Sequence, residues 1–318
     1  MLGLGDVRAA AERIRPYVVH TPLERSASLS QQSGADIWLK LECFQNTGSF
    51  KLRGAVNALL LLGDDRRQKG VITASAGNHG LGVARAAALL GVAATVVVPE
   101  TASTAKIDAL RRSGAELLLR GATYDDAEAA AQQLARERKI AFVSAYNDPD
   151  VVAGGGTLAL EILDDLPDAR TLVVPAGGGG LIGGTGVAAH GIDPRIVVYG
   201  VQSEASPALH VAQQAGHRVD VDVQDSLADG LAGNVEEGSI TLDLLREHVR
   251  QVALVSEADI AAAMRFLARE EHVLVEGSAA VGVAALQRQL LDLSGPTVVV
   301  LTGRNVATSV LRQYVFDS

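Results

Sequence analysis

From residue 71 onward, short apolar runs alternate with longer amphipathic segments. The apolar runs lie at 71–74, 95–98, 116–119, 140–144, 171–175 and 196–201. The alanine-rich segments lie at 78–90, 103–112, 124–138, 181–190 and 206–214. A strand that is apolar at every position, not at every second one, is buried on both faces. Such strands alternating with helices imply parallel sheets covered by helices on both sides. The punctuation agrees: Ser103 and Ser256 stand where N-caps belong, and Gly91 and Gly114 stand where helices stop. Beyond Ser256, Ile260, Met264 and Leu267 share one helical face and read as core. The expectation is two doubly wound α/β domains, a large one from 1–69 with 148–318 and a small one from 70–147.

Composition narrows the setting. With 318 residues, 48% hydrophobic and 20% charged, the chain has ample material for a buried core. A net charge of −9 argues against a nucleic-acid partner, which would favour a basic surface. The first residues include Asp6, Arg8, Glu12, Arg13 and Arg15, so no secretory signal is expected. The longest apolar runs fall far short of the ~20 residues that a membrane span needs, so no membrane partner is expected either. Cys43 is the only cysteine, which rules out an internal disulfide framework and suits a cytoplasmic location. It reads as a small buried hydrophobe. Little chain follows Asn305, so a distal regulatory domain is not expected.

Four stretches carry candidate chemistry. The first holds Lys51, one of five lysines. Lys40, Lys69, Lys106 and Lys139 lie in polar or alternating segments and read as surface charge. Lys51 instead follows Gly48 and Ser49, sits beside Phe50, and precedes Arg53-Gly54-Ala55 at a helix start. A partly desolvated lysine near another cation loses its proton readily, as imine-forming lysines must. The second stretch is Gly177-Gly178-Gly179-Gly180-Leu181, after the strand at 171–175. A glycine loop at a helix N-terminus offers free N–H groups to a phosphate. Gly178, Gly180 and Gly183 also satisfy G-x-G-x-x-G, with Glu204 near where a ribose-binding acid would stand, so a nicotinamide enzyme competes. The third, from Ala74 to Gly80, places Ser75, Asn78 and His79 at another helix start, suited to a carboxylate or to simple capping. In the fourth, Thr302 follows the strand Val298 to Leu301, and strand carboxyl ends face the ligand crevice in α/β sheets. No Walker A motif and no zinc-ligand spacing occurs.

In this order, these elements resemble the threonine dehydratase and serine racemase family of fold-type-II pyridoxal-phosphate (PLP) enzymes. The run from Lys40 to Ala55 resembles that family's lysine motif almost throughout, and the likeness extends from His20 to Asn305. The resemblance displaces the nicotinamide reading. It implies two sheet domains with the cofactor in the cleft between them, and a dimer or larger assembly. Lys51 would hold PLP as a Schiff base and then abstract the substrate's α-proton. Phe50 would pack beside the ring, Asn78 would bond its 3-hydroxyl, and Asn147 would lie near it. Gly177, Gly178, Gly179, Gly180 and Leu181 would hold the phosphate, and Thr302 would face the ring nitrogen. Ser75, Asn78 and His79 would surround the substrate carboxylate. A neutral hydroxyl at Thr302 makes the ring a weaker electron sink than a carboxylate would, which favours prompt loss of a β-substituent.

The implied activity is β-elimination from a β-hydroxy amino acid, L-threonine or L-serine, giving a 2-oxo acid and ammonia. Racemases of the family carry a serine where this chain has Ala76, which cannot transfer a proton, so elimination is expected over racemisation. Those racemases also bind a divalent metal. Glu204 and Ala208 match that site, but His210 replaces an acidic ligand that magnesium would prefer. Arg304 departs from the family pattern. It either faces solvent or pairs with a second substrate carboxylate, as in 3-hydroxyaspartate. Gly155 replaces the usual glutamine.

Overall fold

The computed structural model describes residues 2–317. Its ten strands are β1 (Leu23–Arg25), β2 (Ile37–Lys40), β3 (Val71–Ala74), β4 (Ala94–Val98), β5 (Glu116–Leu119), β6 (Ala141–Phe142), β7 (Thr171–Pro175), β8 (Val197–Ser203), β9 (Gln251–Val255) and β10 (Thr297–Val300). A six-stranded sheet runs β1-β2-β10-β7-β8-β9, and a four-stranded sheet runs β5-β4-β3-β6. Only the β1–β2 pair is antiparallel. The small sheet is drawn wholly from 71–142, and the large one from 23–40 and 171–300.

The continuous apolar strands are buried on both faces, as their pattern requires. Along β7 and β10, Val173 and Val299 join one core cluster. Leu172, Val174, Val298 and Val300 join another on the opposite face. Helices Glu257–Arg269 and Gly277–Gln287 cover the first face, and Pro149–Asp165 and Gly180–Ile192 cover the second. Helix Lys51–Leu61 lies between the two halves. Leu52, Val56 and Leu59 pack with Val71, Val83 and Ala141 of the small-sheet layer and with Val151 at the start of Pro149–Asp165. Among the described residues no helix is long and apolar enough to cross a membrane.

The punctuation read from the sequence holds. Ser103 Oγ accepts the Lys106 N–H, and Ser256 forms a reciprocal capping box with Asp259. Gly91 ends its helix at φ +66°, and Gly114 turns the chain at φ +82°. Two expectations need correction. The run 140–144 forms only the two-residue strand β6 before the chain bends toward the site. Lys40 is not surface charge: it is 0% exposed, and its Nζ donates to Thr21 O at 2.7 Å and pairs with Glu161 Oε2 at 2.8 Å. Its strand alternates, but the face it points to is a polar interior. Helix Gly277–Gln287 had no periodic signature, because small apolar residues surround its whole circumference.

Helix Pro149–Asp165 contains Gly154, Gly155 and Gly156 in its interior, against local propensity. Backbone crowding explains two of them. A Cβ on Gly154 would lie 2.6 Å from Arg53 O, and one on Gly156 would lie 2.5 Å from Gly184 O. A Cβ on Gly155 would meet nothing nearer than Leu181 Cδ1 at 3.8 Å. Gly155→Ala should therefore stabilise the protein by about 0.5–1 kcal/mol through the unfolded chain's entropy. Gly154→Ala and Gly156→Ala should each cost about 1–3 kcal/mol through overpacking. Denaturant unfolding of the three variants measures the contrast.

Candidate active site

The loop before Lys51 runs beside the carboxyl end of β10. Ser49 bridges Gly303, Phe50 N donates to Thr302 O at 3.1 Å, and Arg304 N donates to Gly48 O at 2.9 Å. Gly48 has φ +74°, and a Cβ there would lie 2.8 Å from Asn305 Oδ1, so the turn needs glycine. Lys51 is thereby delivered at the first position of its helix, facing the other sheet. Its Nζ donates to Ala145 O at 2.9 Å and lies 5.2 Å from the Phe50 ring centroid. Burial pulls its proton affinity down to about 8, while the carboxylate of Glu276 pulls it up.

Two helix starts converge near this amine. No acceptor among the described residues takes the N–H groups of Gly178, Gly179, Gly180 or Leu181. Thr241 Oγ1 pins this loop by donating to Gly178 O at 2.8 Å. Gly179 sits at φ +92°, a conformation glycine adopts at no steric cost. At the other start the N–H groups of Asn78, His79 and Gly80 are likewise free among the described residues, while Ser75 Oγ accepts from Gly77 N at 3.1 Å. Free N–H groups at a helix N-terminus form an anion site. One nest is made of glycine, which admits a phosphate closely. The other carries hydroxyl and amide side chains, which suits a carboxylate.

His79 is 3% exposed, and its Nε2 must donate to the carbonyl of Val143 at 3.0 Å. Burial, then Lys51, hold its pKa down to about 3, so the ring is neutral and its Nδ1 has no partner. The ring supplies no cation to a carboxylate; the backbone N–H at His79 is what that nest can offer. Thr302 is 3% exposed at the end of β10, and its hydroxyl has no partner among the described residues. Asn147 is committed at both ends of its amide, to Glu236 Oε2 at 2.9 Å and to the Ile240 N–H at 3.1 Å. It anchors the 236–240 loop near the glycine nest.

The remaining candidates fall elsewhere. Arg304 is exposed, and its guanidinium stacks over the exposed Phe44 ring with the centroid 5.0 Å away. It has no carboxylate partner among the described residues. Glu204 is exposed after β8, and His210 is occupied, with Nδ1 on Val252 O at 2.6 Å and Nε2 facing Gln214 Nε2 at 2.8 Å. The His210 side chain therefore adds no free ligand beside Glu204 and Ala208. Among the described residues no three His, Cys, Asp or Glu side chains gather to hold an ion.

Two residues escaped the sequence reading. Tyr146 lies across the glycine nest: a Cβ on Gly178 would be 2.3 Å from its ring, and its hydroxyl accepts the Glu236 N–H at 2.9 Å. Glu276, 7% exposed, accepts from Asn78 Nδ2 at 2.7 Å and from Asn305 N at 3.1 Å. Burial, then the Asp229 charge, push its pKa up to about 7. The only available hint was an acid isolated in an apolar stretch just before a small-residue helix, Val273-Leu274-Val275-Glu276-Gly277.

Two parallel sheets, a depressed lysine and two anion nests define an enzyme built around a phosphate-bearing carbonyl cofactor. Comparison with known proteins names it: residues 14–303 match the family model "pyridoxal-phosphate dependent enzyme", and the chain belongs to that family. It is 40% identical over 316 residues to the L-threonine ammonia-lyase of Thermotoga maritima, covering 99% of this chain and 78% of that one. The structure of maize serine racemase matches with a TM-score of 0.93 at 32% identity, over 98% of this chain and 96% of that one. The threonine deaminase isoform 2 of Solanum lycopersicum matches with a TM-score of 0.91 at 33% identity, over 98% and 86%. PLP fits the residues present: the free glycine-loop N–H groups suit its phosphate, and the unpartnered Thr302 hydroxyl suits its ring nitrogen.

A lysine lowered to about 8 is largely uncharged in mild alkali, where an ordinary lysine is not. In the apoenzyme Lys51 should therefore be acylated more than about tenfold faster than Lys69, Lys106 or Lys139 near its midpoint. Peptide mass spectrometry after brief acylation reads the ratio.

Proposed function

We propose that the chain is a PLP-dependent ammonia-lyase acting on a β-hydroxy amino acid, L-threonine first and L-serine second. The observation that carries this reading is a single depressed base, Lys51, set between a phosphate nest and a carboxylate nest. The stretch that bears a second proton carrier in the racemases has Ala76, packed among Val96, Val98 and Leu110. The relatives named L-threonine ammonia-lyase and threonine deaminase agree with elimination, whereas the maize neighbour is named a serine racemase. The stacking of the exposed Arg304 over Phe44 gives no support to a 3-hydroxyaspartate reading.

PLP, when bound, supplies the electron sink that acidifies the substrate's α-proton. The chain's own residues do the rest. The N–H groups of Asn78, His79 and Gly80, with Ser75, orient the substrate carboxylate. Lys51 Nζ takes the α-proton, the Cα–Cβ double bond forms, and the β-hydroxyl leaves as water with a proton supplied in the site. Hydrolysis of the released enamine gives the 2-oxo acid and ammonia. The Gly177–Leu181 nest and the Thr302 hydroxyl would hold the cofactor, to which Lys51 Nζ would be joined until the substrate's amine displaces it and frees Nζ to act as the base. Residues 70–147 act as the small domain that carries the carboxylate nest, and 1–69 with 148–318 as the large domain that carries the phosphate nest. A cytoplasmic location is supported by the lone buried thiol of Cys43. A homodimer or larger assembly is supported by family resemblance alone.

The holoenzyme should release 2-oxobutyrate from L-threonine and pyruvate from L-serine. Borohydride should fix the cofactor to the peptide bearing Lys51. Lys51→Ala should lower kcat by about 10²–10⁴-fold, the usual worth of a positioned proton acceptor. In deuterium oxide, recovered serine should remain L and undeuterated. Rapid α-exchange with D-serine in the product would make the chain a racemase instead.

A further inference from the structure

The polar atoms of Glu276 draw their partners from separate segments of the site. Oε1 accepts from Asn78 Nδ2 at 2.7 Å, Oε2 accepts from Asn305 N at 3.1 Å, and its own N–H donates to Gly303 O at 3.2 Å. The Asn78 amide is held from its other end as well. Its Oδ1 accepts from Asn305 Nδ2 at 2.7 Å, and that same nitrogen donates to Thr47 O at 2.9 Å. An amide fixed between a carboxylate and a donor has one orientation. The second hydrogen on Asn78 Nδ2 is then left free for a ligand. Gly303 makes the approach feasible: a Cβ there would lie 2.6 Å from Glu276 Oε1.

Glutamine cannot reproduce this geometry. Two N–H donors arrive at the two oxygens, so a carboxamide would set donor against donor at one of them. The charge matters too, because Glu276 opposes the effect of burial on Lys51.

We propose that Glu276 is a positioning residue that aims the Asn78 amide at the cofactor and presents its carboxylate to the cleft in which the Lys51 amine lies. The inference rests on the reading of Lys51 as the cofactor lysine. The other charged groups here are known. Asp229, paired with Lys106 at 2.5 Å, disfavours the ionised carboxyl, and Lys106 favours it. Cys43 is neutral, its thiol pushed up to about 12 chiefly by burial, and His79 is neutral. Glu276 acts on the buried Lys51 amine, and Lys106, from its pair with Asp229, acts on Glu276.

The test uses the apoenzyme of the full chain. The pH midpoint of Lys51 acylation is measured for the wild type, Glu276→Gln, Glu276→Asp and Gly303→Ala, and PLP affinity is measured by absorbance titration. Glu276→Gln should lower the Lys51 midpoint by on the order of 1 pH unit, since an attractive charge is lost. It should also weaken PLP binding by about tenfold through the misdirected amide. Glu276→Asp should keep the midpoint and lose the affinity. Gly303→Ala displaces the carboxyl without deleting it, so it should weaken PLP binding even if the glutamine variant does not fold. A folded Glu276→Gln with a lower Tm and an unmoved Lys51 midpoint overturns the proposal. So does a Gly303→Ala protein with wild-type PLP affinity. Borohydride trapping judges the identity of Lys51 separately, because acylation reads its proton affinity whether or not it binds the cofactor.

Discussion

Arg53 brings its guanidinium into a place that is 1% exposed, and the geometry there leaves little freedom. Its Nε and Nη2 form a fork on Glu42 at 2.8 and 2.7 Å, and its Nη1 and Nη2 form a second fork on Glu161 at 2.7 and 2.8 Å. Lys40, fully buried, shares Glu161, and Thr21 donates to Glu42 at 2.5 Å. Two cations face Glu42 and Glu161, and the partly exposed Asp165 lies 3.8 Å from Lys40 Nζ. Buried charges are tolerated when they are paired and hydrogen-bonded in this way, and removing one member strands the others at heavy cost. The cluster ties the strand β2, the turn at Glu42 and the helix Pro149–Asp165 to the helix that begins at Lys51. Because Arg53 is two residues from Lys51, fixing the guanidinium also fixes where the reactive amine emerges.

The glycine contacts perform the same task for the anion nests. Gly54, Gly154, Gly156 and Gly184 let the backbones of three helices meet at distances that no side chain would permit. The helix Gly180–Ile192 is thus seated with its free N–H groups at the cleft, opposite those of Asn78–Leu90. Each nest is a consequence of a helix beginning where a parallel strand ends, which is why both face the same crevice. Polarity then separates their roles: one nest is bare backbone, and the other carries side chains that can orient a smaller anion.

Electrostatics finish the site. Lys51 is depressed by burial but restrained by Glu276, and Glu276 is itself raised by burial and restrained by two N–H donors. The proton affinities of base and carboxyl are thereby drawn toward one another from opposite ends of the scale. A lysine surrounded only by apolar atoms would be more reactive, but also less well aimed. The bonds from Glu276 to Asn78 and Asn305 show how the same carboxyl serves both purposes.

Much of this was legible in the chain itself. Continuous Val, Ile and Leu runs specify strands buried on both faces, and glycine loops after strands specify anion-binding turns. The stretch from Gly48 to Ala55 singles out Lys51, and Ala76 offers no group that could carry a proton. All of these are properties of neighbouring residues, and local chemistry is what a sequence displays. The burial of Lys40, the neutral ring of His79 and the outward stacking of Arg304 on Phe44 were not legible, nor was the part played by Glu276. Glu276 meets Asn78 across 198 residues of chain, and Lys40 meets Glu161 only when helix Pro149–Asp165 packs over the motif. The charge and proton affinity of a side chain depend on its partners and on the loss of water around it, and only the tertiary structure chooses those.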